Sequence, residues 1–383
     1  MRIPVSRNQA LSAILLTFTV FFSPLWAAQQ TITGSGATLV YDDNSCGGAS
    51  FATQCQSAMN TAFNKTIGQF QLPNLQDYMK YMSSAQAVST KGQGVDYTTN
   101  PSVFVVGVSA GAGLDTGNSS LSDVVKSFSK GGSLPPGGYG LQFSIMAGLN
   151  MSVFKFKSPI LGVIDLNRLT VYGHAAAFDF SSLIKQDGLT VKSSQFGFHT
   201  KYKILEPRSA PAGLFNWGGL DFITGLTIAS NNVTYKRSFD EIVSGSRTLS
   251  DPEIRLTPAG TVSLSNNAVA VPFEIATSVR LLYFLSLFGG AGIDLNFGKS
   301  SMDVSLGSVS VAANTGSGNT AAGTLTAGAS ESSNGRFGAL RFFAGAAINL
   351  VPMKNTNVVS LITQANISTG GGYGLMVGVR AGW

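Results

Sequence analysis

Apolar residues along most of the chain alternate with small or polar ones. In the stretch 141–153, every odd position from Leu141 to Val153 is apolar, whereas most even positions carry Gln, Ser, Gly or Asn. A period of two predicts a β-strand. The run is about twice as long as a typical strand of a globular protein, and it covers the roughly 9–11 residues that a tilted strand needs to cross a bilayer.

The same alternation recurs at 195–204, 269–280 and 285–297, and more weakly at 340–350 and 359–367. In each case one face collects Phe, Leu, Val and Ile, and the opposite face is small or polar. This pattern predicts an all-β protein, a transmembrane antiparallel up-and-down β-barrel. A half-solvated antiparallel sheet also alternates, so a secreted β-sandwich is the alternative.

The N-terminal part has a different period. Apolar residues spaced by four from Phe51 to Ile67 predict one helix face, and a second helix is expected after Pro73, with Met79, Met82 and Ala85 on one side. The expected organisation is a partly helical segment at 28–100, periplasmic or inserted in the barrel as a plug. The transmembrane barrel is then expected at 101–383.

The first residues have the pattern of a secretory signal peptide. Arg2 and Arg7 precede an apolar core from Ala10 to Phe22, and small residues follow at Ala27 and Ala28. We expect a signal peptide at 1–27 and export of the remainder. Export makes a disulfide between Cys46 and Cys55 the expected state of these two cysteines.

Composition narrows the function classes. Charged residues make up only 11% of the chain, well below the roughly 25% typical of soluble domains. The formal net charge is +6, but the basic residues are scattered rather than clustered with aromatic ones, which argues against nucleic-acid binding.

The spacing of polar stretches predicts a topology. Outer-membrane barrels have short periplasmic turns and long external loops. If 373–383 descends to the periplasm, the long polar stretches at 114–139, 230–267 and 298–336 all fall on the external side, and ten strands result. Further hairpins inside the long stretches, at Val233/Tyr235, Ile254/Leu256 and Val304/Leu306, would raise the number, so 10–14 strands are expected.

The last predicted strand carries an apolar face that ends on an aromatic residue. This face consists of Tyr373, Leu375, Val377, Val379, Ala381 and Trp383. It resembles the terminal strand of outer-membrane β-barrel proteins of diderm bacteria, although Phe is the usual last residue there. The resemblance implies an outer-membrane location, contact with membrane lipid, and an assembly signal for the barrel-assembly machinery.

A second resemblance involves the segment before the first strand. A Ser- and Gly-rich stretch followed by Asn100-Pro101-Ser102 is similar to the region that precedes an Asn-Pro-Ala in the outer-membrane long-chain fatty acid transporters. That family's N-terminal segment plugs its barrel. The resemblance implies a plugged barrel and hydrophobic small molecules as ligands.

Alternation also assigns charged side chains to the barrel interior. The expected lumen-lining residues are Lys201, Lys203, Asp221, Glu274, Arg280, Asp294, Arg341 and Arg380. Their excess of positive charge predicts a mild preference for anions if the lumen is open.

Catalytic and metal-binding motifs are not recognisable in the sequence. His199 is expected in the lumen and His174 at an external strand end, and neither lies near a nucleophile motif. No cofactor or metal is therefore predicted. The expected function is passage of small or hydrophobic solutes through a plugged channel. A non-conducting surface protein that binds through its long external loops is the alternative, and an enzyme comes third.

Overall fold

A computed structural model describes residues 35–40, 75–98, 101–117, 119–120, 137–157, 164–179, 181, 188–210, 214–238, 242–244, 253–257, 259–314, 320–352 and 357–382. The predicted signal peptide, the predicted helix at 51–67, Cys46, Cys55 and Trp383 lie outside these residues.

The described part contains one α-helix and fifteen strands. The helix is α1 (Leu75–Ser89), which starts where the sequence predicts and buries Met79, Met82 and Ala85. No helix in the described ranges is both long and apolar enough to cross a membrane. The strands are β1 (Ser35–Val40), β2 (Phe104–Asp115), β3 (Gly138–Asn150), β4 (Leu169–Asp179), β5 (Leu189–Leu205), β6 (Arg208–Ser209), β7 (Phe215–Ser238), β8 (Ile242–Ser244), β9 (Glu253–Thr257), β10 (Ala259–Leu281), β11 (Leu285–Asn314), β12 (Thr320–Asn334), β13 (Gly338–Pro352), β14 (Asn357–Ser368) and β15 (Gly372–Gly382).

Ten of these strands form a closed antiparallel ring. Their order is β2-β3-β4-β5-β7-β10-β11-β13-β14-β15, and β15 pairs with β2 from Gly372↔Asp115 to Gly382↔Val105. The predicted transmembrane β-barrel is confirmed, with the strand number that the polar connections gave. The expected extra hairpins add no strand to the ring: two of them lengthen β7 and β11, and the third is β9, which pairs with β11 outside it.

The outer face of the barrel is an apolar belt with a sharp upper boundary. Four exposed or half-exposed apolar residues on neighbouring strands are cross-strand partners, in the order Phe196↔Ile228↔Val269↔Phe297. The next outward positions are also in register and are all polar, in the order Ser194↔Ser230↔Asn267↔Lys299. An apolar outer face on a closed sheet is suited to lipid, so this organisation is that of an outer-membrane β-barrel.

Three strands of the ring, β7, β10 and β11, continue beyond this boundary. Together with β12 they form a sheet that we call the external sheet. β11 is 30 residues long, and only its first part, Leu285 to Leu295, pairs with β13 in the ring. From Lys299 onward it pairs with β12 instead. At about 3.3 Å per residue, the part beyond Leu295 extends roughly 60 Å. The stretches predicted as external loops at 230–267 and 298–336 are therefore largely strand, since most of their described residues belong to β7, β10, β11 and β12.

The segment 75–98 runs through the barrel. The first turns of α1 lie at the external end, where the Met82 sulfur accepts a hydrogen bond from the Tyr139 backbone at 3.3 Å. At the opposite end Asn150, the last residue of β3, bonds the carbonyl of Pro101 at 2.7 Å. β2 then begins at that periplasmic end. Every described residue from 81 to 98 is buried, so this segment, which we call the lumen segment, fills the interior.

Candidate functional site in the barrel interior

The inward faces of the strands carry seven of the eight predicted lumen residues in buried positions. These residues are Lys201, Lys203, Asp221, Glu274, Asp294, Arg341 and Arg380, and each is at most 7% exposed. Arg280 is only partly buried, and its guanidinium lies 5.9 Å from the ring centroid of Tyr283 in the β10–β11 turn. The interior is occupied by the lumen segment. The buried charged side chains form ion pairs or hydrogen bonds with the wall or with this segment.

Arg341 is the centre of the main ionic cluster. Its guanidinium donates to Asp294 at 2.8 Å and to Asn366 at 2.9 Å, and it forms a further ion pair with Glu274. The lumen segment completes the cluster, because Lys91 lies 2.9 Å from Asp294 and the Tyr97 hydroxyl donates to Glu274 at 2.7 Å. Two cations thus balance two carboxylates in a buried site.

A second cluster forms around Asp96 of the lumen segment. The Asp96 carboxylate accepts from Arg380 at 3.1 Å, and its carbonyl accepts from Lys201 at 2.8 Å. Arg380 also donates to the Gly92 carbonyl at 2.9 Å. The carboxylate of Asp96 therefore balances the charge of Arg380 on β15. Asp96 is not among the predicted lumen-lining residues, because it lies before the first strand of the ring.

A third pair does not involve the lumen segment. Lys203 lies 2.6 Å from Asp221 and donates to the Gly218 carbonyl at 2.8 Å. A cavity of about 220 Å³ adjoins this pair, and its lining also includes Asn150, Arg168 and Glu206. Because these residues lie near the short turns, the cavity is at the periplasmic end.

The two histidines of the chain meet inside the barrel. Their rings stack with centroids 5.2 Å apart, and both residues are buried. The expected position of His174 at an external strand end is wrong, since β4 continues for five residues beyond it. Gly94 of the lumen segment lies against the pair: a β-carbon built there would be 2.3 Å from the His174 Nδ1 atom. Gly94 therefore permits the close approach of the lumen segment to β4.

Apolar packing seals two levels of the interior. Val95 and Tyr97 belong to a buried cluster with strand residues that include Phe288, Phe343 and Met376. At the external end Tyr78, Met79 and Met82 pack against the inner face of the external sheet, at Leu264 and Met302. Burial raises the pKa of the Tyr78 phenol above its usual value, so this hydroxyl stays neutral at physiological pH.

The proposed assembly strand is β15. Leu375, Val377 and Val379 are exposed on the outer face, Tyr373 is half-buried there, and Met376 and Arg380 point inward.

The part of the chain that the structure describes contains no group of three or more His, Cys, Asp or Glu residues placed to hold a metal ion.

Comparison with solved structures gives distant similarities to other outer-membrane proteins. The monoaromatic hydrocarbon channel CymD is 8% identical, covers 80% of this chain and 98% of its own, and has a TM-score of 0.23. The transport unit of the autotransporter AIDA-I from Escherichia coli is 10% identical, with coverage of 80% and 99% and a TM-score of 0.31. A Pseudomonas aeruginosa FadL homologue is 8% identical, with coverage of 79% and 97% and a TM-score of 0.21. These scores are low, so the fold is established by the strand pairing described above.

Comparison with protein families gives a match over nearly the whole chain. No curated protein matches the sequence. The family model described as Lsa36-like matches residues 28–383, which include the lumen segment, all ten strands of the ring and the external sheet. The chain therefore belongs to the Lsa36-like family.

Proposed function

We propose that this protein is a non-conducting outer-membrane barrel that displays its external sheet for binding at the cell surface. The observation that carries the proposal is the filled interior. Residues 81–98 are all buried, and ion pairs fix them to two strands of the wall, β11 through Asp294 and β15 through Arg380. A ten-stranded ring is slightly wider than the eight-stranded barrels that side chains alone fill, and the lumen segment occupies the difference.

The external sheet supports the binding role. β7, β10, β11 and β12 extend far beyond the lipid boundary, although about 9–11 residues suffice to cross a bilayer. The part of β11 beyond Leu295 is not needed to cross the bilayer. It places the β11–β12 hairpin well above the membrane. The expected partner is a macromolecule at another surface, such as that of a host cell or a phage.

Two measurements test the proposal together. Liposomes containing the mature protein should swell no faster in small sugars than empty liposomes. Bacteria that display the whole protein should adsorb to host-cell layers or phage more than bacteria that display a variant in which 304–329 is replaced by a short Gly-Ser turn. Equal adsorption by both strains would refute the surface role, and rapid swelling with the intact protein would refute the closed state.

Gated passage of small solutes is the second candidate, and the polar character of the lumen contacts favours it. Most polar contacts between the lumen segment and the wall are ion pairs or hydrogen bonds of charged or amide groups. An example is the hydrogen bond that the Gln195 side-chain amide donates to the Gln93 side chain at 2.7 Å. Water could replace these bonds if the segment moved. Solute passage then requires a displaced segment, and the fatty acid transporter resemblance suggests hydrophobic molecules as cargo.

A double variant distinguishes the two candidates. Lys91→Met with Asp96→Asn removes both ionic ties of the lumen segment. A gated channel should then conduct in planar bilayers, with a mild anion preference from the remaining lysines and arginines. A barrel that stays silent in this variant, while retaining its folded electrophoretic mobility, contradicts the gated channel.

A further inference from the structure

We infer that the chain enters the barrel from the external side and passes through the lumen to the periplasm, so that β1 (Ser35–Val40) lies on the external face of the outer membrane. The inference concerns the path of the chain, and it does not depend on what the external sheet binds.

The external start of the lumen segment is fixed by several contacts. The Arg336 guanidinium lies 5.7 Å from the Tyr81 ring centroid, and the Arg336 backbone donates to the Ser84 hydroxyl at 3.2 Å. A β-carbon built at Gly117, just after β2, would be 2.3 Å from the Tyr81 ring. Gly117 and Arg336 both belong to connections on the side of the long loops, so α1 enters the barrel from outside.

The periplasmic end of the lumen segment is fixed equally well. Asp96 pairs with Arg380, two residues before the end of β15, and Asn150 donates its side chain to Pro101 and its backbone to Val103 at 2.8 Å. β2 starts at Phe104 on this side. The chain therefore crosses the membrane once inside the lumen before it begins the wall.

An independent observation places the preceding chain outside as well. β1 pairs with β12 in the external sheet, at Thr38↔Thr326, Leu39↔Leu325 and Val40↔Thr324. β1 and the first turns of α1 therefore both lie on the external side.

Charged side chains of the barrel wall are paired with charged side chains of the lumen segment. Without the lumen segment Arg380 would lose the Asp96 carboxylate, and Asp294 would lose Lys91. A barrel that closes around the lumen segment therefore has these interior charges paired.

Single cysteines test the position of β1 once the native Cys46 and Cys55 are replaced by serine. In this Cys46→Ser/Cys55→Ser background, Ala37→Cys lies in β1, and Thr369→Cys in the external β14–β15 turn and Leu282→Cys in the periplasmic β10–β11 turn are the controls. Intact and permeabilised cells are treated with an impermeant biotin-maleimide. An epitope inserted after Val40, the last residue of β1, and detected with antibody on intact cells gives a second measurement of the same point.

We expect Ala37→Cys, like Thr369→Cys, to be labelled on intact cells as fully as after permeabilisation, whereas Leu282→Cys requires permeabilised cells. Labelling of Ala37→Cys and antibody binding that both require permeabilisation would overturn the proposal.

Passage through the lumen is tested by a cross-link in the same cysteine-free background. A β-carbon at Gly374 would be 2.9 Å from the Val88 Cγ1 atom, whose place a cysteine sulfur would take. In a disulfide the β-carbon of one cysteine lies about 3 Å from the sulfur of the other. Val88→Cys with Gly374→Cys should therefore form a disulfide in cells. Val88→Cys with Gly173→Cys is the matched control, since nothing lies within 4 Å of a β-carbon at Gly173. Surface-exposed N-terminal residues without the Val88–Gly374 cross-link would show another route and refute the proposed one.

Discussion

Replacement of Arg341 by Met tests whether charge balance holds the interior together. Arg341 is fully buried and contacts both Glu274 and Asp294, each about 3% exposed. The variant Arg341→Met keeps an unbranched chain of similar length but leaves two buried carboxylates with Lys91 as their remaining cation. Loss of one partner of a buried ion pair costs about 3–5 kcal/mol, and we expect the free energy of unfolding to fall by this amount.

A second substitution separates the charge effect from the lost packing. The double variant Arg341→Met/Glu274→Gln removes one anion together with the cation, so that Lys91 and Asp294 remain a balanced pair. The new amide oxygen at 274 still accepts the Tyr97 hydroxyl. We expect the double variant to be more stable than Arg341→Met alone, with a residual loss of about 1–2 kcal/mol from the missing hydrogen bonds.

Unfolding in lipid vesicles with a denaturant measures these values, with Trp217 of β7 as the fluorescent probe and linear extrapolation to zero denaturant. Arg168→Met is the control, because Arg168 pairs with Glu206 at 3.1 Å on the surface, where such pairs contribute about 0–1 kcal/mol. A double variant that is as unstable as Arg341→Met, or less stable, would refute the charge-balance explanation.

Two further predictions use matched pairs of substitutions. Gly94→Ala should lower the free energy of unfolding by about 1–3 kcal/mol, because the added methyl group meets His174, whereas Gly173→Ala faces open space and should change it by less than about 0.5 kcal/mol. Equal effects in the same vesicle assay would contradict the close packing of the lumen segment. Ile275→Arg, within the apolar belt of β10, should cost about 2–4 kcal/mol, and Asn267→Arg, on the same face of the same strand beyond the lipid boundary, about 0–1 kcal/mol. If the two arginine variants are equally stable, the boundary is misplaced.

The strands and the barrel were predictable from the sequence because their signal is local. Alternation along β3 and β10 needs only neighbouring positions, and the polar connections order the strands without any contact information. The start of α1 after Pro73 was predictable for the same reason. The extra length of β7 and β11 was not, because beyond the lipid boundary the outward positions turn polar, as at Ser230 and Lys299. The apolar outer face that marks a transmembrane strand is lost there, and the stretch resembles a loop.

The contents of the lumen could not be predicted from local patterns. Asp96 and Arg380 are 284 positions apart in the chain, and Lys91 and Asp96 lie on a segment that follows α1 without regular structure. Alternation assigned the wall charges to the interior, but it could not show that the balancing charges come from residues before the first strand of the ring. The direction of the lumen segment likewise depends on contacts at its two ends, which no period encodes.

The long strand β11 also determines how the protein responds to a pulling force. Each residue of β10 from Gly260 to Leu281 pairs with β11 without a bulge, from the external sheet down to the periplasmic turn. Tension applied at the β11–β12 tip runs parallel to this ladder, so it loads many hydrogen bonds together in shear instead of opening them one at a time. If a partner held the tip, it would therefore be mechanically connected to the ring within the membrane.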